Sequence, residues 1–357
     1  MIPGLVNSHC HVPMTLLRGY GEGLPLHRWL EERVYPFEDR ITDEDVYWAT
    51  LLGVAEMLAS GVTRFYDMYS HCLSICDAVE LAGIRANISR GLVSFDGSPL
   101  KGSLREREAL EIFDRKSALI TPEISVHAEY TSHESYVREA ANLAESLNAN
   151  VHIHLSETER EHSECLARHG VTPTRYFERC GLFNRPTTAA HCVHVTADDM
   201  QILREYGVTA AHCPESNLKL DSGIAPAKAL LAAGVTLAIG TDGASSNNNL
   251  NMLEELHTAA LLGHLTPSEV LSAAFRGNKI APGAVADLAV IDLNKPHLTP
   301  NFDLVSSLVF AAQASDVSMT VVAGNVVYRD GQVRNFDVAE ALSRSAAAAA
   351  RISRELL

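Results

Sequence analysis

Strand-like and helix-like segments alternate from residue 4 to residue 242, and this alternation limits the possible folds more than any other feature of the sequence. The helix-like segments, such as residues 43–60 and 134–147, carry apolar residues at helical spacing, and several end just before a glycine. Repeated strand–helix units lead to parallel strands, and eight such units close into a barrel. The sequence therefore predicts an α/β fold, a (β/α)8 barrel of the TIM type. The eight predicted strands are residues 4–8, 63–69, 85–93, 123–127, 150–154, 187–191, 208–212 and 235–242.

The pattern changes after residue 251. Residues 252–263 and 268–275 have helical spacing, whereas residues 286–293 and 319–327 are strand-like and are followed by a turn sequence. Strands that follow a closed barrel cannot enter it. We therefore expect a barrel domain at residues 1–280 and a small β domain at residues 281–337, with a closing helix at residues 338–357 that packs near the barrel.

Histidines and an aspartate occupy the C-terminal ends of several predicted strands, where a barrel fold carries its chemistry. His9 and His11 alternate after the first strand, so their imidazoles point to the same side. His154 ends the fifth predicted strand, His191 the sixth, and Asp242 the last. Imidazole and carboxylate groups bind divalent metals of the zinc type. The sequence therefore predicts a metal centre at the barrel mouth, where His191 either binds the metal or orients a water molecule.

Residues near the predicted ligands allow a structural interpretation beside a functional one. Glu157 follows the fifth strand and can transfer protons if burial raises its pKa, but it can also cap the next helix. His152 is predicted to be a packed or hydrogen-bonded histidine. The position of His212 at the end of the seventh strand is equally compatible with a substrate contact and with a structural role. Cys10 and Cys192 adjoin site histidines on strands, so their thiols should point away from the metal and be structural.

The composition argues against several classes of partner. A net charge of −15 opposes binding to the phosphates of nucleic acids. No segment is apolar over the length that a membrane span needs, and the first residues lack the basic and apolar regions of a signal peptide. The 7 cysteines are scattered without a Cys-x-x-Cys pair. We therefore expect a cytoplasmic protein that binds neither nucleic acid nor membrane.

Longer motifs around the predicted ligands connect the chain with a known family. Residues 3–11 read Pro-Gly-Leu-Val-Asn-Ser-His-Cys-His, residues 154–158 read His-Leu-Ser-Glu-Thr, and residues 240–248 read Gly-Thr-Asp-Gly-Ala-Ser-Ser-Asn-Asn. In these motifs the chain resembles the amidohydrolase superfamily. More narrowly, it resembles the methylthioadenosine/S-adenosylhomocysteine deaminases, relatives of the triazine chlorohydrolases and guanine deaminases. The resemblance covers nearly the whole chain and includes residues 13–20, 29–38, 67–69, 89–92, 216–220 and 223–226.

The resemblance implies one divalent metal per chain. Zinc is favoured, with Fe²⁺ and Mn²⁺ as alternatives, because such ligands accept all three ions. The metal-binding positions of that family match His9, His11, His154 and Asp242. The positions that handle protons and the attacking water match Glu157, His191 and Asp242. The positions that contact the nucleoside match Trp29, Glu38, Arg90, His127, Glu157 and His191, with Glu38 at the ribose hydroxyls.

The function that the resemblance implies is hydrolytic removal of the 6-amino group of an adenine nucleoside, with release of ammonia and formation of the inosine analogue. Methylthioadenosine, S-adenosylhomocysteine and adenosine are the candidate substrates. Arg105 is a candidate contact for the carboxylate of the homocysteine group. The alternatives are an aminohydrolase or chlorohydrolase that acts on guanine, a pterin or a triazine, and a truncated, non-catalytic member that only binds its ligand.

The resemblance also bears on assembly. Members of the family have a segment before the first barrel strand that supplies half of a small β-sandwich, whereas this sequence starts at the barrel strand. We therefore expect an incomplete sandwich at residues 281–337. Its exposed strand edges can pair between subunits, which favours a homo-oligomer.

Overall fold

The computed structural model describes residues 1–356 and confirms the barrel. Eight parallel strands, β2 to β9, form one sheet in chain order, so each pairs with the next strand along the chain. Their C-terminal ends therefore all lie on one face. The strands of the molecule are β1 (Ile2–Pro3), β2 (Leu5–Cys10), β3 (Val62–Tyr69), β4 (Arg85–Arg90), β5 (Ile120–Val126), β6 (Asn150–Leu155), β7 (Thr187–His191), β8 (Thr209–His212), β9 (Thr236–Ile239), β10 (Leu288–Ile291), β11 (Val317–Val322), β12 (Asn325–Arg329) and β13 (Gln332–Val333).

Helices fill the connections between the strands, and many begin at a side chain that caps their first turn. A π-helical turn at Leu30–Val34 joins the first two. The helices are α1 (Leu26–Trp29), α2 (Tyr35–Glu38), α3 (Asp43–Ala59), α4 (Cys72–Ala82), α5 (Leu104–Asp114), α6 (Glu134–Ser146), α7 (Glu159–His169), α8 (Pro173–Cys180), α9 (Ala197–Glu205), α10 (Pro214–Lys219), α11 (Ala227–Ala232), α12 (Met252–Gly263), α13 (Pro267–Phe275), α14 (Leu304–Phe310) and α15 (Val338–Glu355). Within residues 1–356, no helix combines the length and the apolar character that a membrane span requires.

The first and last barrel strands meet at a seam that side chains help to close. Asn7 accepts a hydrogen bond from the Thr241 N–H at 3.0 Å and donates to Thr241 Oγ1 at 2.7 Å. The N–H of Asp242 donates to the carbonyl of His9 at 3.0 Å. This close approach requires Gly240, because a Cβ there would lie 2.7 Å from the His9 nitrogen. The seam thus holds His9 and Asp242 at a defined separation.

Two barrel strands are shorter than predicted. The last was expected at residues 235–242, but β9 ends at Ile239 and Asp242 lies in the loop beyond it, with a φ of 61° in the left-handed region. The third was expected at residues 85–93, but β4 ends at Arg90. After β4 the apolar sequence continues through Leu92 and Val93 although the backbone has left the ladder, whereas after β9 the sequence turns polar at Thr241. Because β9 ends early, Asp242 lies in a loop at the barrel mouth, and its backbone does not follow the hydrogen-bonding register of the strands.

The small β layer is one antiparallel sheet in the order β1-β10-β11-β12-β13. Ile2 and Pro3 pair with β10, so the start of the chain adds a strand to a layer that was expected from residues 281–337 alone. Among the described residues the expected incomplete sandwich is thus a single sheet, and Thr320 anchors it by donating to the Leu58 carbonyl of α3 at 2.7 Å. The domain division at residue 280 stays a prediction.

The closing helix was predicted at residues 338–357. It is α15, which begins at Val338 and ends at Glu355, and Leu357 lies outside the described residues. The helix packs against α3 of the barrel, as expected, and Arg351 Nη2 pairs with Asp45 Oδ2 at 2.5 Å. The C-terminal end of the described chain therefore contributes to the packing around α3.

Candidate active site

The four predicted metal ligands lie together at the mouth of the barrel. His9 and His11 come from the end of β2, His154 from β6 and Asp242 from the loop after β9. The Nε2 atoms of His11 and His154 are 3.2 Å apart. Asp242 Oδ1 lies 3.4 Å from His9 Nε2 and 3.3 Å from His11 Nε2. His191 adjoins this cluster, since its ring nitrogen lies within 4.8 Å of those of His9 and His154.

Hydrogen bonds at the outer ring nitrogens define which nitrogens can bind a metal. His11 Nδ1 lies 2.5 Å from the Met68 carbonyl, and His154 Nδ1 lies 2.7 Å from the His127 carbonyl. Because a carbonyl only accepts, both Nδ1 atoms carry a proton, and in the neutral imidazoles both Nε2 atoms present a lone pair. Two lone pairs that face each other at 3.2 Å repel unless a cation lies between them. His9 Nε2 is also buried without a hydrogen-bond partner among residues 1–356. This set of donors fits a divalent metal.

Two hydroxyl groups orient the carboxylate of Asp242. Ser216 Oγ donates to Asp242 Oδ2 at 2.6 Å and Ser246 Oγ at 2.9 Å, so that Oδ1 is the oxygen that faces the imidazoles. Burial alone would raise the pKa of Asp242, but the nearby imidazoles of His9, His11 and His191 hold it well below its usual range. Asp242 is therefore a charged acceptor at the centre of the site.

Glu157 and His191 form a pair beside the metal ligands. Glu157 Oε2 lies 3.7 Å from His191 Nε2, and Ser222 Oγ donates to Glu157 Oε1 at 3.3 Å. Burial raises the pKa of Glu157, although the neighbouring His191 opposes this shift. The capping alternative for Glu157 is wrong, because Thr158 caps α7 and accepts from the Glu161 N–H. Glu157 is thus a buried carboxyl group that tends to keep its proton.

The other partner of the pair, His191, is held by α10. Its Nδ1 lies 2.8 Å from Asn217 Oδ1, which turns Nε2 toward Glu157. Burial lowers the pKa of His191, but the charges of Glu157 and Asp242 outweigh burial and raise it above its ordinary value. Glu157 and His191 thus form a buried carboxyl–imidazole pair beside the predicted metal ligands.

A cavity of about 690 Å³ opens in front of these groups. Its walls include all four further residues that were predicted to contact substrate, namely Trp29, Glu38, Arg90 and His127. Burial in the wall raises the pKa of Glu38 to about 7, while Tyr69 and Arg90 oppose the shift. Arg90 Nε is fixed by Glu108 Oε2 at 2.6 Å. The volume is within the range of small-molecule sites.

The remaining candidates have different surroundings. His152 Nε2 contacts His9 Nδ1 at 2.9 Å, which confirms that it is a hydrogen-bonded histidine behind the site. Arg105 lines the cavity, whereas the described lining residues do not include His212, which is buried. The thiols of Cys10 and Cys192 are buried and contact backbone carbonyl groups, as expected for structural cysteines.

Several polar residues of the site were not predicted individually. Ser216 and Asn217 come from α10, and Ser246 comes from the loop after Asp242. They lie within the motifs at residues 216–220 and 240–248, so the sequence marked the segments without assigning the side chains. Ser222 had no comparable signal. Its contact with Glu157 depends on how two loops meet in space.

A barrel with imidazoles, carboxylates and a cavity at the C-terminal face of its strands defines the molecule as a barrel hydrolase. The sequence profile of the Amidohydrolase family matches residues 1–327, and the chain belongs to this family.

Individual relatives agree with the family. A 5-methylthioadenosine/S-adenosylhomocysteine deaminase from Pelotomaculum thermopropionicum is 42% identical over 368 residues, which are 96% of this chain and 85% of the relative. The crystal structure of an adenosine deaminase from Xanthomonas campestris with bound zinc superposes with a TM-score of 0.93 at 34% identity, covering 99% of this chain and 86% of the other. An atrazine chlorohydrolase from Arthrobacter aurescens has a TM-score of 0.88 at 21% identity, covering 98% of this chain and 88% of the other. The last similarity concerns the fold alone.

Proposed function

We propose that this protein is a metal-dependent deaminase that hydrolyses the 6-amino group of adenine nucleosides. The observation that carries the proposal is that one cavity brings together the predicted metal ligands, a buried protonatable glutamate and the residues predicted to contact a nucleoside. The names of the relatives from Pelotomaculum thermopropionicum and Xanthomonas campestris support adenine nucleosides as the substrate class. We propose methylthioadenosine, S-adenosylhomocysteine or adenosine as substrates.

We propose zinc as the metal, held by His9, His11, His154 and Asp242. A divalent ion there would supply a Lewis acid that acidifies a water molecule near neutral pH. The zinc in the Xanthomonas campestris structure supports this choice. The tautomers of His11 and His154 and the unpartnered His9 Nε2 support a cation at this position.

Three side chains in and beside the predicted ligand set, those of Asp242, Glu157 and His191, each have a separate role in moving or donating protons. Asp242 Oδ2 accepts the proton that the attacking water loses, and Ser216 and Ser246 can stabilise both states because a hydroxyl either donates or accepts. Glu157 donates its proton to the ring N1, which makes C6 a better electrophile. His191 donates from Nε2 to the attacking oxygen. Asp242 then returns its proton to the departing amino group, which leaves as ammonia. The new hydroxyl group at C6 gives its proton to Glu157, so that the carbonyl group of the inosine analogue forms and Glu157 is restored.

The nucleoside would be held by the cavity walls. The carboxyl group of Glu38 would bind the ribose hydroxyls, and the ring of Trp29 supplies an apolar surface on the same wall. Arg90 and His127 would complete the contacts, and Arg105 would face the far end of a long 5′ substituent. The cytoplasmic location and the homo-oligomeric state expected from the sequence stay predictions.

Ammonia release, with chloride release for the chlorotriazine, tests the proposal. Zinc-loaded protein is incubated separately with methylthioadenosine, S-adenosylhomocysteine, adenosine, guanine and a chlorotriazine, and metal is measured in the same sample. Turnover of at least one adenine nucleoside with one metal per chain is the expected result, and Glu157→Gln protein with the same metal content serves as the inactive control. Metal without turnover of any adenine nucleoside, or turnover of guanine or the triazine instead, would overturn the proposal.

A further inference from the structure

Glu161 lies on the first turn of α7, where an acidic side chain usually serves the start of the helix. Three other helices show that usual arrangement. The acids Asp45, Asp199 and Glu269 each accept the backbone N–H of the threonine three residues earlier, at 2.8, 2.9 and 2.7 Å. Thr158 caps α7 in the same way and accepts from the Glu161 N–H at 3.1 Å. From its sequence, Glu161 would therefore be interpreted as the acid of a fourth such box.

The carboxylate of Glu161 has other partners. Its Oε1 accepts the Ser156 N–H at 3.0 Å, and its Oε2 accepts the Glu157 N–H at 2.7 Å. Both donors lie before Thr158, so the side chain reaches back past the helix start. Glu161 is 3% exposed, and none of the salt bridges within residues 1–356 involves it. Arg168 and His169 on the same helix pair with Glu129 instead. A buried carboxylate without a cation depends on such hydrogen bonds.

The segment that Glu161 holds is constrained from its other side as well. Ser156 has a φ of 48°, in the left-handed region that a residue with a side chain seldom adopts. Its carbonyl accepts the N–H groups of Val193 at 3.1 Å and His194 at 2.9 Å, just beyond His191. The turn that presents Glu157 is therefore clamped between Glu161 and the segment that follows His191. Each oxygen of Glu161 supports one of the two peptide groups in that turn.

From this geometry we infer that Glu161 is a positioning residue for Glu157, which it orients through the backbone and not through the side chain. The inference rests on the proposed role of Glu157 in proton transfer. Small displacements of a reacting group cost large factors in rate, since a shift of about 1 Å can cost on the order of 100-fold. Binding of the nucleoside would also involve other groups of the cavity wall, such as Trp29 and Glu38, that Glu161 does not contact.

Glu161→Gln is the informative variant, because it keeps the volume but replaces one accepting oxygen by a donor that faces a backbone N–H. We expect kcat per metal-loaded chain to fall about 10-fold to 100-fold, while KM changes less than about threefold. Glu269→Gln is the control, since it replaces the acid of a capping box outside the cavity lining, where the carboxylate also pairs with Lys228. Thr158→Ala removes the cap of the same helix without removing the contacts at Ser156 and Glu157. Both controls should keep kcat within about threefold of the wild type.

A double-mutant cycle separates positioning from a general effect on the fold. If Glu161 acts through Glu157, the Glu157→Gln/Glu161→Gln protein should be no slower than Glu157→Gln alone in single-turnover measurements. Multiplying losses in the double variant, or a kcat of Glu161→Gln equal to that of the wild type, would overturn the inference. Normal turnover of Glu157→Gln would instead remove the proposed role of Glu157 itself.

Discussion

His152 determines which nitrogen of His9 can face the metal site. The two rings meet at 2.9 Å through His9 Nδ1 and His152 Nε2, and both residues are buried. If His152 Nε2 accepts, His9 must carry its proton on Nδ1 and leave Nε2 free as a ligand. A histidine outside the predicted ligand set would thus select the tautomer of a predicted ligand.

Replacement of this acceptor should weaken metal binding. His152→Phe keeps a ring of similar size but cannot accept a hydrogen bond, so His9 can adopt the wrong tautomer. We expect the Kd for zinc to rise about 10-fold to 100-fold. Competition with a chromophoric chelator measures this constant directly. His133→Phe, at a histidine outside the cavity lining, is the control, and equal constants for both variants would contradict the role of His152.

Glu157→Gln should separate metal binding from turnover. The amide keeps the shape of the side chain but is far too weak an acid to protonate the ring. No predicted metal ligand is changed. We expect turnover to fall about 1,000-fold with unchanged metal content. Elemental analysis and ammonia release on the same sample measure both quantities. A variant with normal turnover would show that another group protonates the substrate.

The raised pKa of Glu157 predicts how turnover depends on pH. Because the protonated carboxyl is the active form, kcat/KM should fall as the pH rises through this pKa. Ser222 donates to Glu157 Oε1 and so favours the charged form, which lowers the pKa. Ser222→Ala should therefore raise the pKa of Glu157 further and move the alkaline limb of the pH profile to higher pH. An unmoved limb would mean that another group controls it.

At the scale of the elements, the seam between β2 and the loop after β9 depends on side-chain hydrogen bonds, because β2 and β9 are not neighbours in the sheet order of the described residues. Asn7→Ala leaves the N–H and the hydroxyl of Thr241 without their partner in a buried position. We expect the free energy of unfolding to fall by about 2 to 3 kcal/mol. Urea denaturation measures it. Asn278→Ala, which removes a partly exposed bond to the Gly4 carbonyl, is the control and should cost less.

Much of this architecture is readable from the sequence because its signals are local. Apolar runs and helical spacing predict the eight barrel strands and several helices, though not β1, and strand order then brings His9, His154 and Asp242 to one face. The seam, the contact between Ser222 and Glu157 and the long reach of Glu161 are not readable in this way. Each depends on where two distant segments meet, and for Glu161 the local pattern predicts a capping box that the side chain does not form.

On the scale of the whole molecule, metal and fold should stabilise each other. The predicted ligands come from the first, fifth and last barrel strands or the loops that follow them, so an ion bound there joins distant parts of the chain. At 100-fold excess of zinc over Kd, binding should add about 2.7 kcal/mol of stability. Thermal unfolding with added zinc and with a chelator measures the difference. The same Tm in both conditions would show that the ion does not bind the folded chain.

The distribution of the ligands along the chain has a consequence for biosynthesis. During translation, His9 and His11 are synthesised early, whereas Asp242 is added only after the last barrel strand has been synthesised. Every shorter nascent chain therefore lacks the carboxylate that faces these imidazoles. If the predicted ligands bind the ion, the complete ligand set would exist only when the two ends of the barrel have met. The complete set would then be a mark of a chain that was translated past its last barrel strand.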